Sequence, residues 1–290
     1  MNIIKANNLA CPLDGLPLLI TEKQYQCQNG HGFDIARQNY VNLLPVQQKR
    51  SKHPGDSKEM VQARTAFLNT DIYKPIAETL NDISHSLLAR SQADAAGILD
   101  AGCGEGYYLA ELLGFLASSE DNRNVFSLGV DISKQAVLAA TKRNKDVTWL
   151  VASNKQLPIL DETIDIIICM FGFPVYDSFR KVLKVDGKII LADAGPMHLI
   201  ELRNIIYPTI KPSTELNLTE AEQAGFSMIE QSTVNYTSKK LSNTQIMDLL
   251  GMTPHLYRAS QEGRQAAAEL DSIAVTVDVV FRTLEKVHHQ

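Results

Sequence analysis

Apolar positions with two different spacings divide most of the chain into predicted strands and helices. Short apolar runs predict buried strands at 97–101, 126–131, 147–151, 164–170 and 188–193. Helical spacing predicts helices in the intervals, at about 107–117, 134–144 and 176–183. Strands that alternate with helices are typical of an α/β domain with a mostly parallel sheet and helices on both faces.

The C-terminal part continues the pattern with two longer β-rich runs. These runs, at 226–236 and 273–284, surround helical patterns at 243–250 and 261–270. A late strand pair of this kind closes an otherwise parallel sheet with one antiparallel member. The pattern therefore predicts an α/β fold with a mostly parallel sheet of seven strands.

Two helices precede the predicted sheet. The first is capped by Asp56 or Ser57 and runs to about Leu68, and the second is an amphipathic helix over 71–90. Taken with the sheet, the pattern predicts three regions: a small module at 1–45, a basic connector with helices at 46–92, and the α/β domain at 93–290.

Composition and charge narrow the class of protein. The chain has 290 residues, of which 44% are hydrophobic and 21% charged, as in ordinary globular proteins. It has no apolar run long enough to cross a membrane, no apolar signal-peptide core, and four cysteines, too few for a disulfide scaffold. We therefore expect a cytoplasmic protein with no membrane partner, and the net charge of −5 argues against bulk nucleic-acid binding.

Basic residues nevertheless cluster between the small module and the first helix. The candidate phosphate-contacting residues are Lys49, Arg50, Lys52, His53 and, on the helix, Arg64. A charged connector is equally compatible with simple exposure to solvent, so the cluster alone leaves both interpretations open.

The first 45 residues carry two turns with metal-ligand spacing. Cys11 and Asp14 form one turn, Cys27 and His31 form the other, and hairpin-like strands separate them. A small domain that buries little apolar surface gains stability from a tetrahedral zinc site of this kind. Carboxylate oxygen is a less usual ligand in structural sites, so two hypotheses stand: a zinc site with these four ligands, or a metal-free ribbon with two buried thiols.

A glycine-rich turn follows the first predicted strand of the large domain, at Asp100-Ala101-Gly102-Cys103-Gly104-Glu105-Gly106. Such a turn presents backbone amides and a helix N-terminus to a ligand. The next strand ends at Asp131-Ile132, where a carboxylate can accept both hydroxyl hydrogens of a ribose or, alternatively, cap the next helix. Ser153 and Asn154 follow the third strand beside a predicted adenine slot. The glycine spacing differs from the dinucleotide fingerprint Gly-x-Gly-x-x-Gly.

Three features together resemble a class I S-adenosylmethionine-dependent methyltransferase. They are the glycine turn, the strand end Gly129-Val130-Asp131, and Leu157-Pro158 before Asp165-Ile166-Ile167-Ile168. The resemblance implies a Rossmann-like fold with S-adenosyl-L-methionine as cofactor. The candidate cofactor contacts in the turn and at the two strand ends are Asp100, Gly102, Cys103, Gly104, Glu105, Gly106, Asp131, Ile132, Ser153 and Asn154.

Other segments are similar to one family of RNA-modifying enzymes. Three runs look like the 23S rRNA (guanine-N1)-methyltransferase family: Tyr40-Val41-Asn42-Leu43-Leu44-Pro45-Val46-Gln47, Pro54-Gly55-Asp56-Ser57 and Gly195-Pro196-Met197-His198-Leu199. The match covers almost the whole chain. The resemblance implies methylation of guanine N1 in a 23S rRNA hairpin, a zinc-ribbon-like module, a homodimer, and cofactor contacts by Tyr73 and His198. The chain departs from the family pattern at Asp14, which stands where the family has its second cysteine.

The implied reaction places demands on the target base. Guanine N1 is masked by pairing in a stem, so the base must leave the helix. In the loop 171–174, Phe171 and Phe173 could stack on it, or alternatively pack in the core or form a lid. The sequence assigns no catalytic residue: Asp193 and His198 lie near the right strand end, but neither is assigned to accept the N1 proton.

Two other functions remain open at this stage. A methyltransferase for a small quinone-type molecule shares the glycine turn but does not need the basic connector. A non-catalytic RNA-binding or ribosome-assembly factor could keep the fold, although the intact glycine turn and Asp131 argue against it.

Overall fold

A single large sheet dominates the computed structural model, which describes residues 1–48, 54–90, 94–210, 218–253 and 255–287. The strands in chain order are β1 (Asn2–Ile4), β2 (Leu19–Ile20), β3 (Gln24–Gln26), β4 (Gly32–Asp34), β5 (Tyr40–Asn42), β6 (Ala95–Ala101), β7 (Asn124–Asp131), β8 (Thr148–Val151), β9 (Ile164–Met170), β10 (Leu183–Ala194), β11 (Phe226–Thr237), β12 (Leu241–Ser242), β13 (Ser272–Ile273) and β14 (Thr276–Lys286).

Helices cover the sheet and build the walls around one end of it. They are α1 (Lys58–Leu68), α2 (Lys74–Ala89), α3 (Tyr107–Ala117), α4 (Lys134–Arg143), α5 (Tyr176–Val182), α6 (Ile200–Ile206), α7 (Thr219–Gln223), α8 (Asn243–Gly251), α9 (His255–Arg258) and α10 (Gln261–Ala268). No helix in the described ranges is both long and apolar enough to span a bilayer.

The sheet has the strand order β11-β14-β10-β9-β6-β7-β8-β5, with β1 paired to β7. Strands β6 to β10 pair in parallel, whereas β14 runs antiparallel to both β10 and β11. The predicted α/β class and the one antiparallel member are confirmed. The predicted number of strands is wrong, because the sheet has nine: β1 and β5, from the N-terminal region, add in parallel to β7 and β8. Each is three residues long, too short to show a period in the sequence.

The strand order fixes where a ligand can bind. From β6 the chain moves outward through β7 and β8, and then crosses back to β9 on the other side of β6. Open α/β sheets bind ligands in the crevice that this reversal opens at the carboxyl ends of the strands. In this protein those ends are Ala101, Asp131, Val151, Met170 and Ala194.

Both faces of the sheet are buried at its centre, along β6, β8 and β9. On one face, Ile98 and Trp149 pack with residues of α2 and α3, such as Leu80 and Leu112. A Cβ on Gly129 would lie 2.1 Å from the Trp149 ring, so the glycine before the Val130-Asp131 strand end is required by this packing.

The other face of the sheet is covered in part by the three-stranded ribbon β2-β3-β4. Leu9, Leu18 and Tyr25 of this region belong to the same apolar cluster as Leu99 and Leu128 of the large sheet. The Ala10 N–H also donates to the carbonyl of Pro158 over 2.9 Å. The N-terminal region is therefore packed against the sheet that carries the crevice.

Candidate active site and metal centre

A cavity of about 650 Å³ opens at the carboxyl ends of the parallel strands. Its volume lies in the range of small-molecule sites, roughly 300 to 1,000 Å³. The floor comes from the ends of β6, β7, β9 and β10, and the walls come from α1, Tyr73 and the segment after α8. All the predicted cofactor contacts line this cavity except Gly106: Tyr73, Asp100, Gly102, Cys103, Gly104, Glu105, Asp131, Ile132, Ser153, Asn154 and His198.

The glycine turn depends on left-handed backbone conformations. Gly102, Gly104 and Gly106 have φ values of 93°, 54° and 83°, which side chains with a Cβ adopt at a cost. Gly102 and Gly104 face the cavity, whereas a Cβ on Gly106 would lie 2.7 Å from Trp149. Gly106 thus serves the close packing of α3 rather than the cavity wall.

The carboxylate of Asp131 is held by the backbone on both sides. Oδ2 accepts the Gly104 N–H over 2.9 Å, and Oδ1 accepts the Ser133 N–H over 2.7 Å. Each oxygen keeps a further lone pair, so the carboxylate can still accept two hydroxyl hydrogens. The helix-capping role belongs instead to the Ser133 hydroxyl, which accepts the Ala136 N–H at α4.

Asp100 is a buried carboxyl group at the end of β6. It is 2% exposed, and its Oδ1 has no hydrogen-bond partner among the described residues. Burial, followed by the nearby charges of Asp131 and Glu105, raises the pKa of Asp100 to about 8. An unpartnered buried carboxyl of this kind favours a ligand that brings a positive charge or a hydrogen-bond donor.

Glu105 has a partner within the protein. Its Oε2 accepts a hydrogen bond from Arg143 Nε, and the Arg143 guanidinium lies 5.3 Å from the centre of the Tyr107 ring. Glu105 is 1% exposed, so this charge pair ties the glycine turn to the end of α4. Burial raises the pKa of Glu105, and the bond from Arg143 opposes that rise.

The turn after β8 forms the side of the cavity predicted to hold adenine. The Ser153 hydroxyl accepts the Lys155 N–H over 3.2 Å, which fixes the turn. The buried Oδ1 of Asn154 has no partner within the described ranges, so it can accept a hydrogen bond from a ligand. Ile132 lies next to this turn in the cavity lining.

Tyr73 and His198 meet at the other end of the cavity. The backbone N–H of Asp278 donates to His198 Nδ1 over 3.2 Å, and the pKa of His198 is lowered to about 4, chiefly by burial. The neutral ring therefore carries its proton on Nε2, which lies 3.0 Å from the Tyr73 hydroxyl and donates to it. The Tyr73 O–H is left free to donate into the cavity.

The turn that carries His198 is itself fixed by Asp278. The Asp278 carboxylate accepts the Met197 N–H over 2.9 Å, and the Gly195 N–H donates to the Asp278 carbonyl over 2.7 Å. A Cβ on Gly195 would lie 2.4 Å from the same carboxylate, which explains the glycine that opens this motif.

The two phenylalanines after β9 occupy different environments. Phe171, with a strained φ of 53°, has its ring stacked at 6.4 Å on Tyr73 and tilted at 6.3 Å against Tyr108. Phe173 also lines the cavity but is 90% exposed. Phe171 is therefore part of the aromatic wall, whereas Phe173 stands at the mouth.

Several cavity residues are not predicted from the sequence to lie there. They are Met60, Leu68, Tyr108, Met252, Thr253 and His255, together with Asp56, which the sequence predicts only as a possible helix cap. Arg64, predicted to contact RNA, also lies in this wall, where it pairs with Asp56 and donates to the Met252 carbonyl over 3.1 Å. Lys49, Arg50, Lys52 and His53 lie outside the described residues. Asp193 lines the cavity 3.4 Å from Arg282, its salt-bridge partner.

Four side chains of the N-terminal region converge on one point. The ligand atoms of Cys11, Asp14, Cys27 and His31 all lie within 4.8 Å of one another. His31 Nδ1 is 3.5 and 3.4 Å from the two sulfurs and 3.0 Å from Asp14 Oδ2. Zinc bonds of about 2.3 Å to sulfur and 2.0 to 2.2 Å to nitrogen or oxygen imply tetrahedral edges of roughly 3.3 to 3.8 Å. The distances from His31 Nδ1 lie near these edges, and the 4.8 Å limit of the whole set exceeds the longest edge by about 1 Å, so the four side chains would move inward to bind one tetrahedral ion.

The surroundings of Asp14 prepare it to act as a ligand. The Leu16 N–H donates to Oδ1 over 3.1 Å, and the Asn29 amide donates to Oδ2 over 3.0 Å, so the carboxylate is oriented from outside the site. Hydrogen bonding from Cys11 keeps the pKa of Asp14 below its usual range. Gly15 and Gly30, with φ values of 76° and 83°, close the two turns that present the ligands.

Comparisons with known proteins match both regions. A zinc-ribbon family described as "RlmA, N-terminal" matches residues 9–52, and a methyltransferase domain family matches residues 98–187. YcgJ protein from Bacillus subtilis, a solved structure, is 18% identical with a TM-score of 0.46, covering 71% of this chain and 98% of that chain.

Two curated relatives extend over nearly the whole chain. A 23S rRNA (guanine(748)-N(1))-methyltransferase of Streptomyces fradiae is 28% identical and covers 94% of this chain and 95% of its own. A candidate 23S rRNA (guanine-N(1)-)-methyltransferase of Bacillus subtilis (strain 168), YxjB, is 31% identical over 280 residues, which are 93% of this chain and 94% of that protein. On this similarity, the chain belongs to the 23S rRNA (guanine-N1)-methyltransferase family.

Proposed function

We propose that this protein transfers a methyl group from S-adenosyl-L-methionine to N1 of a guanine in a 23S rRNA hairpin. The observation that carries the proposal is the presence, in one chain, of a cavity lined by Asp100 and Asp131 and of the four converging side chains of the N-terminal ribbon. This is the combination of regions that the two family matches cover.

Side chains along the cavity suit successive parts of the cofactor. Asp131 would accept the ribose hydroxyls, and the free amide oxygen of Asn154 would accept the adenine amino group. Asp100, with its unpartnered Oδ1, would face the positively charged methionine part. The free O–H of Tyr73, oriented by His198, would donate a hydrogen bond at that end.

The bound cofactor supplies an electrophilic methyl group: the N1 lone pair forms the new C–N bond, the C–S electrons remain on sulfur, and the N1 proton leaves to water or a base. The protein's part is to bring N1 into line with the methyl group and to exclude competing water. Exposed Phe173 at the cavity mouth offers a flat apolar face on which an extruded guanine can stack.

The N-terminal ribbon supports an RNA substrate over a small molecule. A small acceptor needs only the cavity, whereas this chain adds a ribbon with a four-ligand site and a connector that contains Lys49, Arg50, Lys52 and His53. We assign these basic residues to the rRNA phosphates. We also propose a homodimer, which the family resemblance implies and light scattering tests. We propose a cytoplasmic location, which suits the rRNA substrate and four cysteines that form no disulfide with one another.

Methylation of purified rRNA tests the proposal. The full chain is incubated with labelled S-adenosylmethionine and protein-free 23S rRNA from cells that lack the corresponding gene, and nucleosides are separated by mass spectrometry. We expect 1-methylguanosine at one site, seen also as a reverse-transcription stop because the N1 methyl group blocks base pairing. An Asp131→Ala variant should lose the activity.

Three results would overturn the proposal. They are methylation of no RNA, a methylated nucleoside other than 1-methylguanosine, and turnover only with a small quinone-type acceptor. A truncated chain is not a suitable control, because removal of the N-terminal region would take β1 and β5 out of the sheet.

A further inference from the structure

The cavity is rich in carboxylates. Five of the residues that line it are acidic: Asp56, Asp100, Glu105, Asp131 and Asp193. This lining suits the sulfonium and ammonium groups of S-adenosylmethionine, but it repels the carboxylate of the same molecule. Asp56, Glu105 and Asp193 have arginine partners, and a cation at the place where the ligand carboxylate binds would offset the remaining repulsion.

Few cations are available in the described cavity lining. His198 and His255 are neutral near pH 7, because burial lowers the pKa of both rings. Lys155 is exposed and follows Asn154, on the adenine side. Arg64 is the remaining cation, and its side chain is only 24% exposed.

Arg64 lies directly over the glycine turn. A Cβ placed on Gly104 would be 3.4 Å from Arg64 Nη1. Burial raises the pKa of Asp131, and the positive charge of Arg64 is among the contributions that oppose this rise, as expected for a nearby guanidinium. Asp131 is suited to the ribose of the ligand, and the turn after β8 is suited to the adenine. The methionine part of the ligand would therefore extend over the glycine turn, next to Arg64.

The Arg64 guanidinium is held in place by two neighbours and keeps further N–H donors for a ligand. Its Nη1 contacts Asp56 and its Nη2 donates to the Met252 carbonyl over 3.1 Å, so α1 and the end of α8 both position it. An arginine has five N–H donors, and these two bonds leave others free. An arginine fixed in this way forms charge-assisted bonds with little loss of side-chain freedom.

We propose that Arg64 binds the carboxylate of S-adenosylmethionine, in place of the RNA contact that its charge suggests in the sequence. The inference rests on the proposed function only for the identity of the cofactor. It assigns to α1, which begins just after the basic connector, a direct part in cofactor binding.

Two ligands that differ at the carboxylate test the proposal. Dissociation constants for S-adenosylmethionine and for decarboxylated S-adenosylmethionine are measured by calorimetry, without RNA, for the wild type and an Arg64→Met variant. We expect Arg64→Met to weaken S-adenosylmethionine by about 10- to 100-fold, as for loss of a bond between charged groups. The decarboxylated ligand should bind both proteins within about twofold, because it lacks the group that Arg64 would contact.

Matched variants separate this role from a structural one. Lys58→Met removes a positive charge from the exposed face of the same helix and should change neither constant. If Arg64 only holds α1 in position, Arg64→Met weakens the binding of both ligands equally, and the proposal is wrong. The proposal is also wrong if Arg64→Met weakens neither ligand, or if Lys155→Met rather than Arg64→Met causes the selective loss.

The outcomes remain distinct from those of the proposed function. If the wild type binds S-adenosylmethionine with the expected Arg64 dependence but methylates no 23S rRNA, the proposed RNA substrate is wrong and the inference about Arg64 stands. A wild type that binds no S-adenosylmethionine overturns both.

Discussion

The candidate metal centre and the cofactor cavity use similar side chains in opposite arrangements. In the ribbon, four ligand atoms from two short turns converge within 4.8 Å of one another. In the cavity, polar groups are distributed over the ends of several strands around about 650 Å³. A convergent set suits an ion, whereas a distributed set suits a molecule with several different parts.

The two regions also treat their carboxylates differently. Asp14 is oriented by Leu16 and Asn29, and hydrogen bonding keeps its pKa below the usual range. Asp100 is buried beside other carboxylates without a partner for Oδ1, and its pKa is raised to about 8. The environment of Asp14 therefore favours the charged carboxylate, whereas the environment of Asp100 favours the protonated form until a cationic ligand offsets the burial.

The largest expected effect is loss of the metal centre in a Cys27→Ala variant. Removing one thiolate from a four-ligand site should lower zinc affinity by more than about 100-fold, so the purified variant should contain no stoichiometric metal. Elemental analysis checks this, and hydrogen exchange should show loss of protection in the ribbon. S-adenosylmethionine affinity should change by less than about threefold, because the two sites do not share side chains.

A matched variant sharpens this prediction. Asp14→Cys should retain zinc, and cobalt-substituted protein should show stronger sulfur-to-metal absorption than the wild type. A wild type that contains no metal when purified without chelator would show that the ribbon is held by packing alone. A Cys27→Ala variant that keeps its metal would show that Cys27 is not one of the ligands.

The second effect concerns Asp100 and depends on pH. Because the folded protein without ligand keeps the Asp100 proton up to about pH 8 and the unfolded chain releases it near pH 4, stability falls as pH rises between these values. Asp100→Asn should remove this loss and raise the free energy of unfolding at pH 8.5 by on the order of 2 to 4 kcal/mol, with almost no difference at pH 4.

The same substitution should weaken cofactor binding. Asp100→Asn removes a negative charge that faces a cationic ligand, so S-adenosylmethionine affinity at pH 8 should fall by roughly 10- to 100-fold. Thermal unfolding and calorimetry measure the two effects. Asp161→Asn, which changes an exposed carboxylate, is the control and should change neither. A more stable wild type at pH 8.5 would contradict the prediction.

The difference between the two regions also explains what could be predicted from the sequence. The candidate metal ligands are local: Cys11 with Asp14, and Cys27 with His31, stand at spacings that a single turn imposes. The strands around the cavity could also be predicted from the sequence, because continuous apolar runs define β6 to β10 and the glycine turn follows β6 directly. Local patterns in the sequence therefore predict the fold class, the floor of the cavity and the four side chains that converge in the ribbon.

The cavity walls could not be predicted in this way. Met60, Met252 and His255 reach the cavity only because α1 packs beside the end of α8, and no spacing in the sequence records that contact. Arg64 illustrates the limit, because its charge and its place in a basic segment suggest RNA, whereas the fold brings it over Gly104. Gly106 shows the converse: it belongs to the motif, but the space it leaves is filled by Trp149.

The smallest expected effect tests where the cavity meets its second substrate. Phe173 is 90% exposed at the mouth, whereas Phe171 is 39% exposed and its ring contacts Tyr73 and Tyr108. Phe173 therefore offers the larger free face to an extruded guanine. Phe173→Ala should raise KM for rRNA about 5- to 10-fold, near the low end of stacking energies of about 1 to 3 kcal/mol per base. The dissociation constant of S-adenosylmethionine should stay unchanged.

Phe173→Trp should restore the wild-type KM and Phe173→Leu should not, because the aromatic face and not apolar area is required. Equal KM values for the alanine and wild-type proteins would assign the contact with the base to another residue and leave the cavity itself as described.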